Sequence, residues 1–122
     1  MAYDLVGTHP KEPFGKPFRC NTFLWHDLLI IMYACEILDR NTARLMMFSD
    51  GMQISEEMCL EMASQINIFA CHMSVIDTCL DSYIDFRPYR NEPEIINARN
   101  GMVEKLKLLA MFLERCGGFS IH

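Results

Sequence analysis

The sequence has no Gly-x-Ser-x-Gly, no Cys-x-x-Cys and no His-x-x-x-His. The first absence removes the nucleophile elbow of serine hydrolases, and the other two remove the commonest short metal-ligand pairs. Cys71-His72 lies between Cys59 and Cys79, at steps of 12 and 8 residues. Ligands sharing one helix need steps of about three or four, so these read as structural residues. No glycine-rich turn opens a helix: Gly117-Gly118 follows one, which suits a helix stop rather than a phosphate cradle. Long apolar runs are also missing. The stretch Leu28 to Cys35 falls well short of the roughly 20 residues of a membrane span. Asp4 stands near the start with no basic flank before an apolar segment, so no secretory signal is expected. Nor is there an excess of base: 16 Asp and Glu against 11 Lys and Arg give a net charge of −5. That balance disfavours a generic grip on nucleic acid through phosphate neutralisation.

What is present is apolar mass. Of the 122 residues, 51% are hydrophobic, enough for one core in one domain spanning 1–122. The six cysteines fall mostly on apolar helical faces and read as reduced core thiols in a cytoplasmic protein. The ten methionines read first as core filling, although methionine also enriches adaptable binding surfaces. No cofactor is expected.

The two ends of the chain define the fold class. Tyr3-Asp4-Leu5-Val6-Gly7 and Gly117-Gly118-Phe119-Ser120-Ile121 are short strand-forming runs edged by glycine, with a helical body between them. Residues 8–20, with Pro10, Pro13, Gly15 and Pro17, read as loop, pinned by Phe14 and Phe18. Asn21 or Thr22 caps a first helix whose apolar positions include Phe23, Leu24, Leu28, Ile31, Met32 and Cys35, ending near Leu38. Asn41 caps a short turn through Met47, and Met52-Gln53-Ile54 is extended. Ser55 opens a second helix that runs about 30 residues or breaks once near Cys71-His72, with Glu56 and Glu57 in its first turn. Asn100 caps the last helix, which runs to about Cys116 and stops at Gly117. The expected class is α+β: three main helices packed with a small sheet formed by the N- and C-terminal strands. An all-α bundle with merely extended ends is the alternative.

Candidate binding residues are charged. Asp77, Asp81 and Asp85 recur every four residues, so their carboxylates form one row on a helix. Like charges so spaced repel by a few tenths of a kcal/mol per pair. The row is either an ordinary solvated face or a strip that engages a basic partner surface, as a nucleic-acid mimic would. The basic loop of Lys11, Lys16 and Arg19 and the link carrying Arg87 and Arg90 are secondary candidates. Trp25 reads first as a core anchor, and second as an interface residue.

Met1-Ala2-Tyr3-Asp4-Leu5-Val6-Gly7-Thr8-His9-Pro10 resembles the opening of a family of uncharacterised small phage and bacterial proteins that begin Gly-Tyr-Asp-Leu-x-Gly-x-x-Pro. Phe18-Arg19-x-Asn21 followed by Trp25 is similar to their Phe-Arg-x-Asn and tryptophan segment. Asp50-Gly51-x-x-Ile54-Ser55 and Phe112-Leu113-x-x-x-Gly117-Gly118-Phe119-x-Ile121 resemble two further elements. The matched pieces span the ends and two junctions. Longer relatives carry a Cys-x-x-Cys-x-Gly insertion before the last helix. This chain has Arg87 to Asn100 there, so no zinc role carries over. The resemblance implies a mobile-element origin. By analogy with such proteins, the expected function is binding and inhibition of a host defence complex, anti-CRISPR-like, in the bacterial cytoplasm, with a CRISPR effector subunit as one partner. The expected protein is a monomer or homodimer with no catalytic role, no direct nucleic-acid contact and no membrane contact. The alternatives are a small enzyme with an assembled Cys–His or carboxylate site, and a self-assembling phage accessory protein.

The charge-row reading has a direct test. Replacing Asp81 and Asp85 together by lysine should abolish partner capture while leaving the circular dichroism spectrum intact; unchanged affinity rules out the acidic strip.

Overall fold

A computed structural model describes residues 2–48, 52–70 and 91–122. The termini do pair. Strand β1 (Ala2–Gly7) runs antiparallel to β4 (Phe119–Ile121), with Leu5 opposite Ile121 and Gly7 opposite Phe119. Two further strands complete the sheet, β2 (Pro17–Asn21) on β1 and β3 (Gln53–Ile54) on β4, in the order β2-β1-β4-β3. Its inward residues Leu5, Phe18, Cys20, Ile54, Phe119 and Ile121 are buried.

β2 corrects the reading of residues 8–20 as all loop. Proline is tolerated at the first residue of an edge strand, where its missing N–H breaks no ladder. From Pro17 on, burial alternates strictly, with Phe18 and Cys20 inward. The outer edge is not bare, because Lys105 Nζ donates to the Arg19 carbonyl at 2.9 Å.

Helix α1 (Thr22–Ala34) is capped by Asn21, whose side chain accepts from Leu24 N–H at 2.8 Å. It ends four residues earlier than its apolar pattern suggests. Glu36 adopts a left-handed φ of 60°. Ile37 N–H reaches back to the Met32 carbonyl at 2.8 Å, and Glu36 N–H to that of Tyr33 at 3.1 Å. Those bonds satisfy carbonyls the helix would otherwise leave open. Asp39, not Asn41, caps α2 (Arg40–Phe48): its carboxylate accepts the Thr42 N–H at 2.7 Å and the Thr42 hydroxyl at 3.0 Å. Those bonds hold Asp39 below its ordinary pKa.

The last carbonyls of α2 are satisfied by other elements. Trp25 Nε1 donates to the Met46 carbonyl at 3.1 Å, and the Tyr3 hydroxyl to that of Met47 at 2.7 Å. Trp25 is fully buried, so its role in the core is that of an anchor with its N–H bonded.

Helix α3 (Glu56–Ala70) begins where Ser55 predicts, with Met58 N–H on the Ser55 hydroxyl at 3.3 Å. Its predicted continuation past residue 70 lies outside the described residues. Helix α4 (Glu92–Arg115) starts well before Asn100. Asn91 is the cap, accepting from Glu94 N–H at 3.0 Å, and Pro93 sits in the first turn, where a missing N–H costs nothing. Asn100 and Gly101 are therefore helix interior. α3 and α4 pack side by side, and Phe112 of α4 lies between Phe18 of β2 and Phe119 of β4, with ring centroids 5.8 Å and 5.9 Å away.

The exit from α4 fixes the sheet. Gly117 and Gly118 have φ of 64° and 91°, which side chains disfavour, and a Cβ on Gly117 would clash with the His9 carbonyl. A Cβ on Gly118 would lie 2.9 Å from the Ile54 carbonyl. The loop after β1 lies along this exit: Thr8, His9 and Lys11 N–H groups donate to the carbonyls of Gly118, Cys116 and Arg115 at 2.8, 3.0 and 2.9 Å.

Because a glutamate stands where the α1 stop needs positive φ, Glu36→Gly should stabilise the protein by about 0.5–1 kcal/mol, read as a higher urea midpoint with unchanged slope.

Candidate functional site

Asp77, Asp81, Asp85, Arg87 and Arg90 lie outside the described residues. The basic loop is described, and its charges face different partners. Lys11 Nζ contacts Glu56 Oε1 at 2.7 Å, which ties the loop to the start of α3. That contact raises the pKa of Lys11 and lowers that of Glu56. Arg19 Nε lies 3.4 Å from Asp4 Oδ1, across the register of β1 and β2. Lys16 is exposed after the 3-10 turn Pro13–Gly15. The loop therefore does not gather its three cations into one patch: two of them spend their charge on acids of the same chain.

Candidate chemistry is sparse among the described residues. No group of three or more His, Cys, Asp or Glu side chains is placed to hold a metal ion. No described helix is long and apolar enough to cross a membrane. Ser120 Oγ and His122 Nε2 lie 2.9 Å apart, exposed and two residues apart on one face of the C-terminal run. Cys20, Cys35, Cys59 and Cys116 are buried free thiols; Cys71, His72 and Cys79 lie outside the described residues.

A groove between α1 and α4 stands apart. It is lined by Phe23, Leu24, Asp27, Ala98, Gly101 and Met102. Three of these work against the fold that carries them. Phe23, which the apolar spacing of α1 places on the inner stripe, is 84% exposed. The stripe reading is wrong for this residue, because Asn21 starts the helix at a phase that turns Phe23 outward while Trp25, Leu28 and Leu29 turn in. Asp27 lies one turn on from Phe23, on the same face. Its carboxyl is pushed above the ordinary range, chiefly by desolvation, with His26 opposing the shift. Among the described residues it has no ion-pair or hydrogen-bond partner. Gly101 sits mid-helix, where glycine costs about 1 kcal/mol relative to alanine. A Cβ there would meet nothing within 4 Å. Among the described residues no packing requires this glycine.

A second groove, between α1 and α2, is apolar at Ile30, Tyr33, Ala43 and Met47 and flanked by Arg40 and Arg44. Both grooves flank α1.

No protein-family profile, curated protein or solved structure matches this chain. The α1–α4 groove therefore has to be read from its own chemistry. Sequence reasoning missed it because its residues come from two helices more than 70 positions apart. One signal was visible: a glycine inside an otherwise helical apolar pattern.

The groove's opposition to stability is measurable. Gly101→Ala should raise stability by about 1 kcal/mol. Asp27 binds its proton more tightly folded than unfolded, so its contribution is intact below the unfolded carboxylate pKa and is lost as pH rises through the higher folded value. Asp27→Asn should therefore raise the melting temperature at pH 7, with the gain closing as pH falls below about 4.

Proposed function

We propose that this chain is a non-catalytic binding protein of mobile-element origin that acts in the bacterial cytoplasm by occupying the surface of a host protein. Its target is a component of a defence complex such as a CRISPR effector. The observation that carries the binding reading is the convergence in one groove of an exposed Phe23, a part-buried Asp27 with no ion-pair or hydrogen-bond partner among the described residues, and Gly101. Features that weaken a fold and gather in one place are characteristic of function.

The groove suits a lysine or arginine side chain of the partner. Its methylene stem would cover Leu24 and the Gly101 floor, and its cation would meet the Phe23 ring and the Asp27 carboxylate. Pairing would return to Asp27 the favourable interaction that desolvation removes. Surfaces that bind nucleic acid are rich in such side chains, so covering one blocks nucleic-acid entry. An acidic protein with this groove acts as a competitor of nucleic acid, a role that the charge row Asp77, Asp81 and Asp85 would extend. The family resemblance of the chain's ends supports the mobile-element origin.

The test is affinity capture by the tagged protein from bacterial lysate with active defence systems, read by mass spectrometry, followed by titration of the purified partner. Phe23→Ala should weaken binding by about 30-fold, the loss of an aromatic anchor worth about 2 kcal/mol, with the melting temperature unchanged. Equal affinity of wild type and Phe23→Ala would remove the groove from the interface.

A further inference from the structure

The groove between α1 and α2 holds an arrangement that the fold does not explain. From α2 it is lined by Arg40, Ala43, Arg44 and Met47, which fall at the spacing of one helix face. From α1 come Leu29, Ile30 and Tyr33. Leu29 and Ala43 are buried, Ile30 and Met47 are half-buried, and Tyr33 is 44% exposed. Apart from the two guanidinium groups and the Tyr33 hydroxyl, the lining side chains are hydrocarbon or thioether. A face that borders another helix is ordinarily apolar, yet arginine takes two of its four positions here. The two arginines stand one turn apart and repel each other. They also occupy the first two turns of α2, where the positive end of the helix dipole disfavours cations. Among the described residues neither has an ion-pair or hydrogen-bond partner. The carboxylate next to them in sequence, Asp39, is engaged by the Thr42 N–H and hydroxyl. Two cations are thus left without a counter-charge beside an apolar groove, in a chain whose net charge is −5.

We infer that the α1–α2 groove is a binding site for a small amphipathic anion, a medium-chain carboxylate whose tail lies on Leu29, Ile30, Ala43 and Met47 and whose head joins Arg40 and Arg44. Charge complementarity sets the sign of the ligand. A carboxylate shared by the two guanidinium groups removes their repulsion, and arginine–carboxylate hydrogen bonds are charge-assisted and directional. The apolar lining sets the tail, because a bare inorganic anion would leave Ile30, Ala43 and Met47 uncovered. Met47 is unbranched and adapts to a flexible chain. Size sets the class of occupant. The groove has a volume of about 260 Å³, just below the range of about 300–1,000 Å³ usual for ligand pockets, so the tail is short. Along α1 the lining runs only from Leu29 to Tyr33, about one turn. That is too short for a partner helix, which anchors through residues on successive turns. The site shares no lining residue with the α1–α4 groove, so it stands whether or not Phe23 and Asp27 engage a protein.

The experiment titrates the isotope-labelled full chain with octanoate, octanol and octylamine and follows the backbone amide resonances. The expected result is saturable shifts at Ile30, Tyr33, Ala43, Arg44 and Met47 with octanoate. Affinity should fall about tenfold for octanol, which lacks the charge, and octylamine should not saturate these amides. Replacing both arginines, Arg40→Gln with Arg44→Gln, should reduce octanoate binding to the level of octanol. Both side chains are exposed, so the spectrum of the double variant should otherwise match that of the wild type. Phe23→Ala should leave octanoate binding unchanged. Shifts scattered over the surface or centred on the α1–α4 groove, equal affinity for octanoate and octylamine, or full affinity in the double variant would overturn the inference. So would light scattering that finds a dimer dissociated by the same double substitution, which assigns the groove to a second copy.

Discussion

The pairing of β1 with β4 is the constraint on which the rest of the structure depends. β1 and β4 are the two inner strands, so this junction joins the β1–β2 pair to the β3–β4 pair in one sheet. A three-residue strand makes few hydrogen bonds of its own. The pairing holds because the Gly117–Gly118 turn delivers β4 at a fixed angle and because Phe119 and Ile121 are fully buried against Phe112 and Leu5. The loop after β1 then satisfies the last carbonyls of α4. Sheet, turn and helix end thus form one cooperative unit.

Helix α1 serves the fold with one face and leaves the other available. Inward, Trp25, Leu28, Leu29, Ile31 and Met32 fill the core, and Trp25 also binds the end of α2. Outward, the helix borders two grooves. An apolar face in water gains nothing for the isolated chain. Neither does a part-buried carboxylate without an ion-pair or hydrogen-bond partner among the described residues, nor a helical glycine that no described packing requires. All three reduce folded-state stability in the same place. That shared location favours a binding role over chance, since scattered single exposed residues need no explanation.

Much of the architecture was legible in the sequence because it depends on local chemistry. Asn21, Ser55 and Gly117 mark helix ends through caps and positive φ, which act over three or four residues. The terminal strands announced themselves by composition. The failures have equally definite causes. Glu36 is a poor residue for a left-handed position, and only the bonds to Met32 and Tyr33 reveal that it takes one. β2 was hidden by Pro17, whose usual meaning in a strand is reversed at an edge. Asn100-Gly101 looks like a helix start, but Asn91 with Pro93 provides a better one and the long helix absorbs the glycine.

Sequence alone determined that this chain has one apolar core, an acidic surface, capped helices and ends able to form strands. Those properties follow from composition and from neighbours a few residues away. Only the tertiary structure decided that Phe23 faces solvent and that Asp27 is part-buried in one groove with Gly101. Each depends on how distant helices pack, and packing sets the solvation, charge and contact of a side chain more strongly than its sequence neighbours do.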